Sequence, residues 1–306
     1  MTTNTEQLSL VGRKAAQARD WRTVEACANE LIRLSTSNPE GYFLKGLVEK
    51  AAQHPNVASE AFEKVLSLDS TRYDAAIELA SQLVISLRNT EAISLLERYT
   101  GSLSNSPRYL DMAGTIYTDI GLSSFALPLY QKANKLQPGI DLFMANLAAC
   151  SIFLGKIKDA RDIYLSLLEK NPHHQRNHYQ LSRLERVTDN NHIVQMKNVL
   201  KQTNLPAHRN IFVYYALAKE LEDLEQWDES FHYYKMAGDA VTTVSNYDVG
   251  KDELLIQTIM DTCTPEWLAD RKASSPIDPN DKAPIFVLGL PRTGTTLTER
   301  ILASHS

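Results

Sequence analysis

Residues 107–140 read PRYLDMAGTIYTDIGLSSFALPLYQKANKLQPGI, one copy of a 34-residue block that recurs along most of the chain. Copies follow one another without gap or insertion and begin at five residues: Thr5, Pro39, Tyr73, Pro107 and Asp141. A period of this length, kept in phase, predicts pairs of antiparallel helices that stack on their neighbours. The chain is therefore expected to be mainly α, with an elongated solenoid before its C-terminal stretch.

Two positions of the block predict how its helices pack. The eighth position is always small: Gly12, Gly46, Ala80, Gly114 and Ala148. The twenty-fourth is mostly bulky: Ala28, Phe62, Leu96, Tyr130 and Tyr164. Small residues are expected where the first helix meets its partner closely, and bulky ones where a side chain fills the space between repeats. The pattern resembles the tetratricopeptide repeat, which implies a superhelix of helical hairpins.

The repeat phase then changes. A sixth block starts in register, with Leu181 and Ser182 at positions seven and eight, but residues 188–192 are polar and turn-like. A helix around residues 193–202 is expected to follow. A last regular repeat starts near Ile211, so the sixth unit carries a two-residue insertion. The prediction is a solenoid of about seven hairpins over residues 5–244, then a linker over 245–282 with one or two helices.

First helices line the inner wall of such a superhelix, where a protein or peptide partner is expected to bind. Their fifth and ninth positions form a mixed set: Phe43/Leu47, Ile77/Ser81, Asp111/Thr115 and Ala145/Ala149. This lining suggests a binding groove without naming its ligand. Phe43 and Ile77 could equally be covered by a neighbouring helix.

The C-terminal stretch, residues 283–306, has a different pattern. Residues 285–288 are an unbroken apolar run that predicts a buried strand, and Leu297, Ile301 and Leu302 recur at helical spacing. Residues 289–296, GLPRTGTT, lie between them with the frame of a Walker A loop. Thr296 and Glu299 have capping-box spacing, although the helix could start one residue earlier.

Such a loop is expected to hold an anion. Glycines let successive N–H groups converge, and the helix N-terminus adds unpaired N–H groups with partial positive charge. Thr295 stands where a Walker A loop has Lys, which disfavours an NTPase or a P-loop kinase. The nearest cation is Arg292, whose planar fork suits two oxygens of one anionic group.

Residues 284–305, PIFVLGLPRTGTTLTERILASH, resemble the opening of a sulfotransferase domain. With the repeats upstream, the chain is similar to tetratricopeptide-repeat sulfotransferases, bacterial relatives of the protein-tyrosine sulfotransferases. The resemblance implies that the loop binds 3′-phosphoadenosine 5′-phosphosulfate (PAPS) as co-substrate, without a metal. It implies a P-loop-like α/β domain of which only the first strand, loop and helix precede Ser306. The implied PAPS-binding residues are Pro291, Arg292, Thr293, Gly294, Thr295 and Thr296.

The implied reaction is sulfuryl transfer to a hydroxyl, with a protein tyrosine as the candidate acceptor. Arg292 is the predicted catalytic residue, because it would neutralise charge on the sulfuryl oxygens and the leaving phosphate. In the similar tyrosine sulfotransferases the general base is a Glu soon after this helix, so we expect it beyond Ser306. These residues alone would then be inactive. The alternative is a repeat scaffold that binds a protein partner without catalysis.

Composition excludes several other classes. The formal charge of −5 gives no basic surplus for nucleic acid, and no apolar run approaches a membrane span. The N-terminus lacks a basic region followed by an apolar core, so no signal peptide is expected. Three widely separated cysteines indicate a reducing compartment, and hence a cytoplasmic protein. Cys27 and Cys150 fall on predicted helices and are expected in the core.

Two polar clusters are open to a functional interpretation. His173, His174, His178 and His192 could suggest a metal, and Glu220, Glu222, Asp223 and Glu225 a cation. The histidines straddle a loop without a supporting acid or Cys pattern. We expect surface histidines and a solvated acidic face.

Overall fold

The computed structural model describes residues 2–103, 105–203, 205–272, 285–290 and 292–305. Regular secondary structure in these ranges is helical, and no strand occurs among them. The chain divides into two compact units, Met1–Val244 and Ser245–Ser306. In the described part of the chain, no helix combines the length and apolar character needed to cross a bilayer.

The first unit consists of seven helical hairpins, which confirms the predicted mainly α solenoid. Its helices are α1 (Thr2–Gln17), α2 (Trp21–Leu34), α3 (Pro39–Ala51), α4 (Pro55–Leu68), α5 (Tyr73–Ile85), α6 (Asn89–Tyr99), α7 (Pro107–Asp119), α8 (Ser123–Leu136), α9 (Asp141–Phe153), α10 (Ile157–Lys170), α11 (Gln175–Ser182), α12 (Asn191–Thr203), α13 (Ile211–Asp223) and α14 (Trp227–Thr242). Up to α11 each helix packs on the one before it, except that α7 packs on α5, and α13 packs on α11 and α14.

Close packing inside the second and fourth hairpins explains the glycine at position eight. A Cβ built on Gly46 would lie 2.5 Å from the ring of Phe62, and one on Gly114 would lie 2.8 Å from the ring of Tyr130. Phe62 and Tyr130 are the bulky residues at position twenty-four of the same blocks. The two positions therefore form one contact, in which an aromatic ring occupies the space that the glycine leaves.

The turns inside the hairpins share a left-handed residue at position fifteen of the block. Positive φ angles between 59° and 82° occur at Arg19, Gln53, Leu87, Gly121, Gly155 and Glu225. The following residue donates its N–H to a carbonyl five residues earlier, as Asp20 does to Ala15 and Arg88 does to Leu83. This is the Schellman arrangement, which ends a helix and reverses the chain. Four of the six positions are not glycine, so the shared turn conformation is not evident from the residue types.

Phe43 and Ile77 are covered rather than open. Phe43 is 2% exposed and Ile77 is fully buried. The ring of Phe43 lies 5.8 Å from that of Phe62, and the guanidinium groups of Arg13 and Arg72 lie 4.8 and 4.9 Å from its centre. Of the two interpretations that the pattern left open, coverage is correct for Ile77, whereas Phe43 is almost fully covered but still contributes to the wall of a cavity described below. Cys27 and Cys150 are also buried, as expected.

The second unit contains α15 (Val249–Thr262), α16 (Pro265–Lys272) and α17 (Thr295–Ala303). The first two are the helices expected in the linker, whereas linker residues 273–282 lie outside the described residues. Residues 285–288 have no regular structure, so the predicted strand is not formed. A strand needs a hydrogen-bonded neighbour, and the described residues offer none.

Candidate functional site

The predicted anion loop is a tight turn that leads into α17. Arg292 and Gly294 both have left-handed backbones, with φ of 67° and 93°. The N–H and the hydroxyl of Thr293 both donate to the carbonyl of Leu290, at 3.2 and 2.7 Å. A Cβ on Gly289 would lie 2.7 Å from Oγ1 of Thr293, so only glycine fits there without a shift. Pro291, a predicted PAPS-binding residue, lies outside the described residues.

The helix starts two residues earlier than a capping box at Thr296 would require. Gly294 is the N-cap, Thr295 is the first helical residue, and Thr296 is therefore inside the first turn. The expected capping box between Thr296 and Glu299 is wrong, because Thr296 is not at the N-cap. Gly294 has no side chain that could bond the first N–H groups, and its carbonyl accepts the N–H of Thr298 at 3.0 Å. The N–H groups that open α17 have no side-chain cap, which is the arrangement that binds anions.

Arg292 is the cation next to this helix start. Its side chain is exposed, and it forms no ion pair with a carboxylate among the described residues. Its positive φ is uncommon for a residue with a side chain. Thr293, Gly294, Thr295 and Thr296 follow it directly, so the structure brings the described members of the predicted site together in one turn. Chemically, the turn offers backbone donors and a guanidinium to an oxyanion.

A second candidate site lies in the first unit, between the first helices of the first four repeats. This groove cavity has a volume of about 280 Å³. Its side chains are mainly aromatic or cationic: Arg13, Trp21, Phe43, Leu47, Lys50, Glu78, Arg108 and Tyr109 contribute most of the wall. Only Phe43 and Leu47 were predicted from positions five and nine. Arg13 occupies position nine of the first block and could have been included, whereas Arg108 and Tyr109 occupy positions two and three.

Ion pairs balance most of the charge in the groove cavity. Arg13 and Arg72 share the carboxylates of Glu40 and Asp74 at 2.5–3.0 Å, and the guanidinium groups hold the pKa of Asp74 below its usual value against the effect of burial. Lys50 pairs with the buried Glu78 at 2.7 Å.

Arg108 is the lining cation without an ion pair among the described residues. It lies 5.6 Å from the ring centre of Tyr109. Burial and the carboxylates of Asp74 and Glu78 raise the pKa of the Tyr109 phenol, which therefore stays protonated as a donor. The cavity thus combines aromatic walls with one unbalanced positive charge.

The expectation of surface histidines is wrong for His178, and the expected solvated acidic face is wrong for Glu220. His178 is fully buried and Glu220 is 1% exposed. His192 joins them: its Nε2 lies 2.8 Å from Nδ1 of His178, and its Nδ1 lies 2.6 Å from Oε1 of Glu220. Burial lowers the pKa of His178 to about 4, and the neighbouring histidines add to the effect. No group of three or more His, Cys, Asp or Glu in the described ranges is arranged for a metal ion.

Residues 284–306 match a family described as "Sulfotransferase family". The chain is 28% identical over 200 residues to an uncharacterized protein of Aquifex aeolicus (strain VF5), a match that covers 65% of this chain and 26% of that protein. The chain thus spans about a quarter of the length of this relative.

Two solved structures resemble the chain at 14% identity. A tetratricopeptide repeat protein from Parabacteroides merdae ATCC 43184 has a TM-score of 0.51, with 82% of this chain and 97% of that chain covered. Human IFIT1, solved as a dimer with m7Gppp-AAAA, has a TM-score of 0.53, with 78% and 60% covered. These likenesses show a tetratricopeptide-like superhelical fold.

Proposed function

We propose that this chain is the N-terminal part of a PAPS-dependent sulfotransferase whose solenoid recruits the acceptor. The observation that carries the proposal is the helix start at Gly294, where α17 has no side-chain cap and Arg292 has no carboxylate partner among the described residues. The family match at residues 284–306 supports the same function. The N–H groups and the guanidinium there fit the 5′-phosphosulfate end of PAPS, which carries only acceptor oxygens.

Each residue of the loop has a distinct task in this proposal. The first N–H groups of α17 bind phosphosulfate oxygens, and the hydroxyls of Thr295 and Thr296 add donors. Arg292 neutralises charge that develops on the bridging oxygen. Thr293 donates to Leu290 in the structure, so its first task is to hold the turn. The hydroxyl of Thr293 can donate to the ligand only if its hydrogen bond to the Leu290 carbonyl breaks. No metal is assigned to the site.

PAPS supplies the sulfuryl group. Sulfuryl transfer breaks the bond between sulfur and the oxygen of the 5′-phosphate, and a new bond forms between sulfur and the acceptor oxygen. The acceptor loses its hydroxyl proton to a general base, for which we propose the Glu that the resemblance to tyrosine sulfotransferases implies. What the residues of this chain contribute is alignment and charge neutralisation, the same demands that phosphoryl transfer makes.

The groove cavity is the proposed recruiting surface. Aromatic walls and the unpaired Arg108 suit a protein segment that carries an apolar or aromatic side chain next to an acidic one. A tyrosine hydroxyl of such a segment is the candidate acceptor. The groove also favours the second candidate function, a scaffold that binds a protein without catalysis, because peptide binding there does not need the loop.

Transfer from labelled PAPS separates the two functions. The full-length protein is incubated with [³⁵S]PAPS and a library of tyrosine-containing peptides with acidic or neutral flanks. The sulfotransferase proposal predicts ³⁵S in peptide product, and more of it in the acidic set. Peptide binding with no transfer from full-length protein would support the scaffold and reject the enzyme. A cytoplasmic location is part of the proposal and follows from the cysteine pattern alone.

A further inference from the structure

The sixth repeat departs from the regular hairpin and leaves a cavity. Helix α11 has eight residues, and the loop Arg183–Asn190 replaces the left-handed turn found in the other repeats. The space beside this loop, here called the sixth-repeat cavity, has a volume of about 400 Å³. His192 and Glu220 form part of its wall, together with the apolar side chains of Leu165, Leu181 and Leu184.

The loop is fixed in place by contacts to α10 and α13. The N–H of Val187 donates to Oδ2 of Asp223 at 3.0 Å, and the guanidinium of Arg186 donates to the carbonyl of the same residue at 3.0 Å. Arg161 of α10 pairs with Glu185 at 2.6 Å. Because both its backbone and its side chains form hydrogen bonds or ion pairs with α10 and α13, the loop forms a fixed edge of the cavity.

The hydrogen bonds in the wall determine where the protons lie. Nε2 of His178 lies 2.8 Å from the carbonyl of Pro172, which can only accept, so this nitrogen carries a proton. His178 is neutral, so its Nδ1 must accept, and Nε2 of His192 must therefore donate to it. One further proton is shared between Nδ1 of His192 and Oε1 of Glu220. Either the pair is imidazolium and carboxylate or both members are neutral, and its net charge is zero in both cases.

Glu220 retains one oxygen for another partner. Its Oε2 is buried and has no hydrogen-bond partner among the described residues. In both proton arrangements the shared proton is on the side of Oε1, so Oε2 is an acceptor. A buried acceptor without a partner costs the folded state stability. A ligand that places a donor there would remove this cost, whereas a carboxylate ligand would bring only acceptors.

The charges around the cavity select among donors. The remaining charged residues of the wall are Arg161, Arg186, Glu185 and Asp189, two of each sign. With the neutral His192–Glu220 pair, the formal charge of the wall is zero. A cationic donor gains no net attraction from such a wall and loses its hydration, whereas a neutral amide loses less.

We propose that the sixth-repeat cavity binds a neutral amide, whose N–H group donates to Oε2 of Glu220 and whose apolar part packs on Leu165, Leu181 and Leu184. The same chemistry is offered by an Asn or Gln side chain of a protein and by a small primary amide. This site belongs to the solenoid, and the proposal does not depend on sulfotransferase activity.

Three probes of equal size test the choice of donor: propionamide, propylammonium and propionate. Each is titrated into the full chain while backbone amide shifts of Thr188 and Gln195 are followed by NMR. The proposal predicts saturable shifts with propionamide in the millimolar range, at least fivefold weaker binding of propylammonium, and no binding of propionate. Absence of saturation with propionamide, or equal binding of propionate, would overturn it.

Substitutions at Glu220 show whether propionamide binding needs a hydrogen-bond acceptor or a negative charge at this position. In Glu220→Gln the amide can donate to Nδ1 of His192 and turn its oxygen to the cavity, so propionamide affinity should stay within about threefold. Glu220→Leu removes the acceptor and should weaken propionamide about tenfold. The matched control is Glu222→Leu, an exposed acid on the same helix, which should change nothing. Equal losses in Glu220→Gln and Glu220→Leu would overturn the assignment of Oε2 as a neutral acceptor.

A second variant covers the case in which Glu220→Leu does not fold. Leu165 is partly exposed at the cavity and outside the hydrogen-bond network, so Leu165→Trp should occupy the space and abolish propionamide binding with the fold intact. Unchanged binding in Leu165→Trp would place the ligand elsewhere and overturn the proposal. Matched peptides, acetyl-Ala-Gln-Ala-dimethylamide and acetyl-Ala-Glu-Ala-dimethylamide, in which the Gln side chain is the one primary amide, then identify the source. Selective binding of the Gln peptide assigns a protein ligand, and binding of propionamide alone assigns a small molecule.

Discussion

The two units of this chain bury their apolar residues to very different extents. In the solenoid, buried apolar side chains extend from Ala15 to Ala240. In the described part of the second unit no residue is buried, although α15 and α17 both carry apolar faces. Leu288 there is 88% exposed and Leu297 is 65% exposed. Repeats supply one another with packing partners, whereas a strand and a helix of an α/β layer depend on further strands and helices.

This comparison predicts that a substitution in the loop changes the rate of sulfuryl transfer without changing the stability of the solenoid. The largest expected effect concerns Arg292. In the full-length protein, Arg292→Ala removes the guanidinium from the anion loop and should slow sulfuryl transfer about 10²–10³-fold, or about 2.7–4 kcal/mol. Thermal melting of the solenoid should not change. Arg300→Ala, an exposed Arg of α17, is the control for loss of charge alone. Transfer rates within a few-fold of the parent would remove Arg292 from the mechanism.

The next effect belongs to the solenoid. Gly114→Trp places a large side chain where a Cβ alone would lie 2.8 Å from Tyr130, and overpacking of this kind costs about 1–3 kcal/mol or more. Urea denaturation followed by circular dichroism measures the loss. The matched control is Gly238→Trp on α14, where a Cβ meets nothing within 4 Å. If both variants melt alike, position eight is not the close contact described above.

His178 should make the free energy of unfolding depend on pH, by an amount similar to or smaller than the effect of Gly114→Trp. The folded protein binds a proton there only near pH 4, whereas the unfolded chain does so near pH 6.5. Between these values the unfolded state binds more protons, so the free energy of unfolding should fall as the pH is lowered from about 6.5 to 4. The pKa difference corresponds to at most about 3 kcal/mol.

Comparison of variants isolates this contribution from that of the carboxylates. His178→Gln removes the titrating group and should lose less stability between pH 7 and pH 4 than the parent. His208→Gln, at an exposed histidine, should follow the parent curve. Parallel curves for the parent and His178→Gln would show that His178 is not held neutral by the fold.

The smallest expected effect tests the boundary between the units. A fragment of residues 1–244 retains every buried residue of the chain's described part, so its melting temperature should lie within a few degrees of that of residues 1–306. A fragment of residues 245–306 should show no cooperative transition. A disordered spectrum from residues 1–244 would mean that the solenoid needs the C-terminal residues.

Local patterns predicted the repeats because close contacts inside the second and fourth hairpins join positions sixteen residues apart in the same block. Gly46 with Phe62 and Gly114 with Tyr130 are both of this kind. The left-handed turns were not predicted, since Arg19, Gln53 and Leu87 adopt a conformation that their residue types disfavour.

These sequence patterns could not predict the contacts between repeats. The buried pair of His192 and Glu220 joins residues 28 positions apart on different helices, and each looks like an ordinary surface residue in its own helix. The apolar run at residues 285–288 is the opposite case. It predicts a buried strand, but a strand exists only with a neighbour. For the loop, residue types predicted the members of the site, and the structure added that Thr293 is engaged by Leu290.

The proposed function depends on binding of the 5′-phosphosulfate of PAPS by residues 289–296. Calorimetric titration of the full-length protein with PAPS and with ATP tests it most directly, in the parent and in Arg292→Ala. We expect PAPS to bind at least tenfold more tightly than ATP, and Arg292→Ala to weaken PAPS binding by an order of magnitude or more. Preferential binding of ATP, or PAPS binding unchanged in Arg292→Ala, would contradict it.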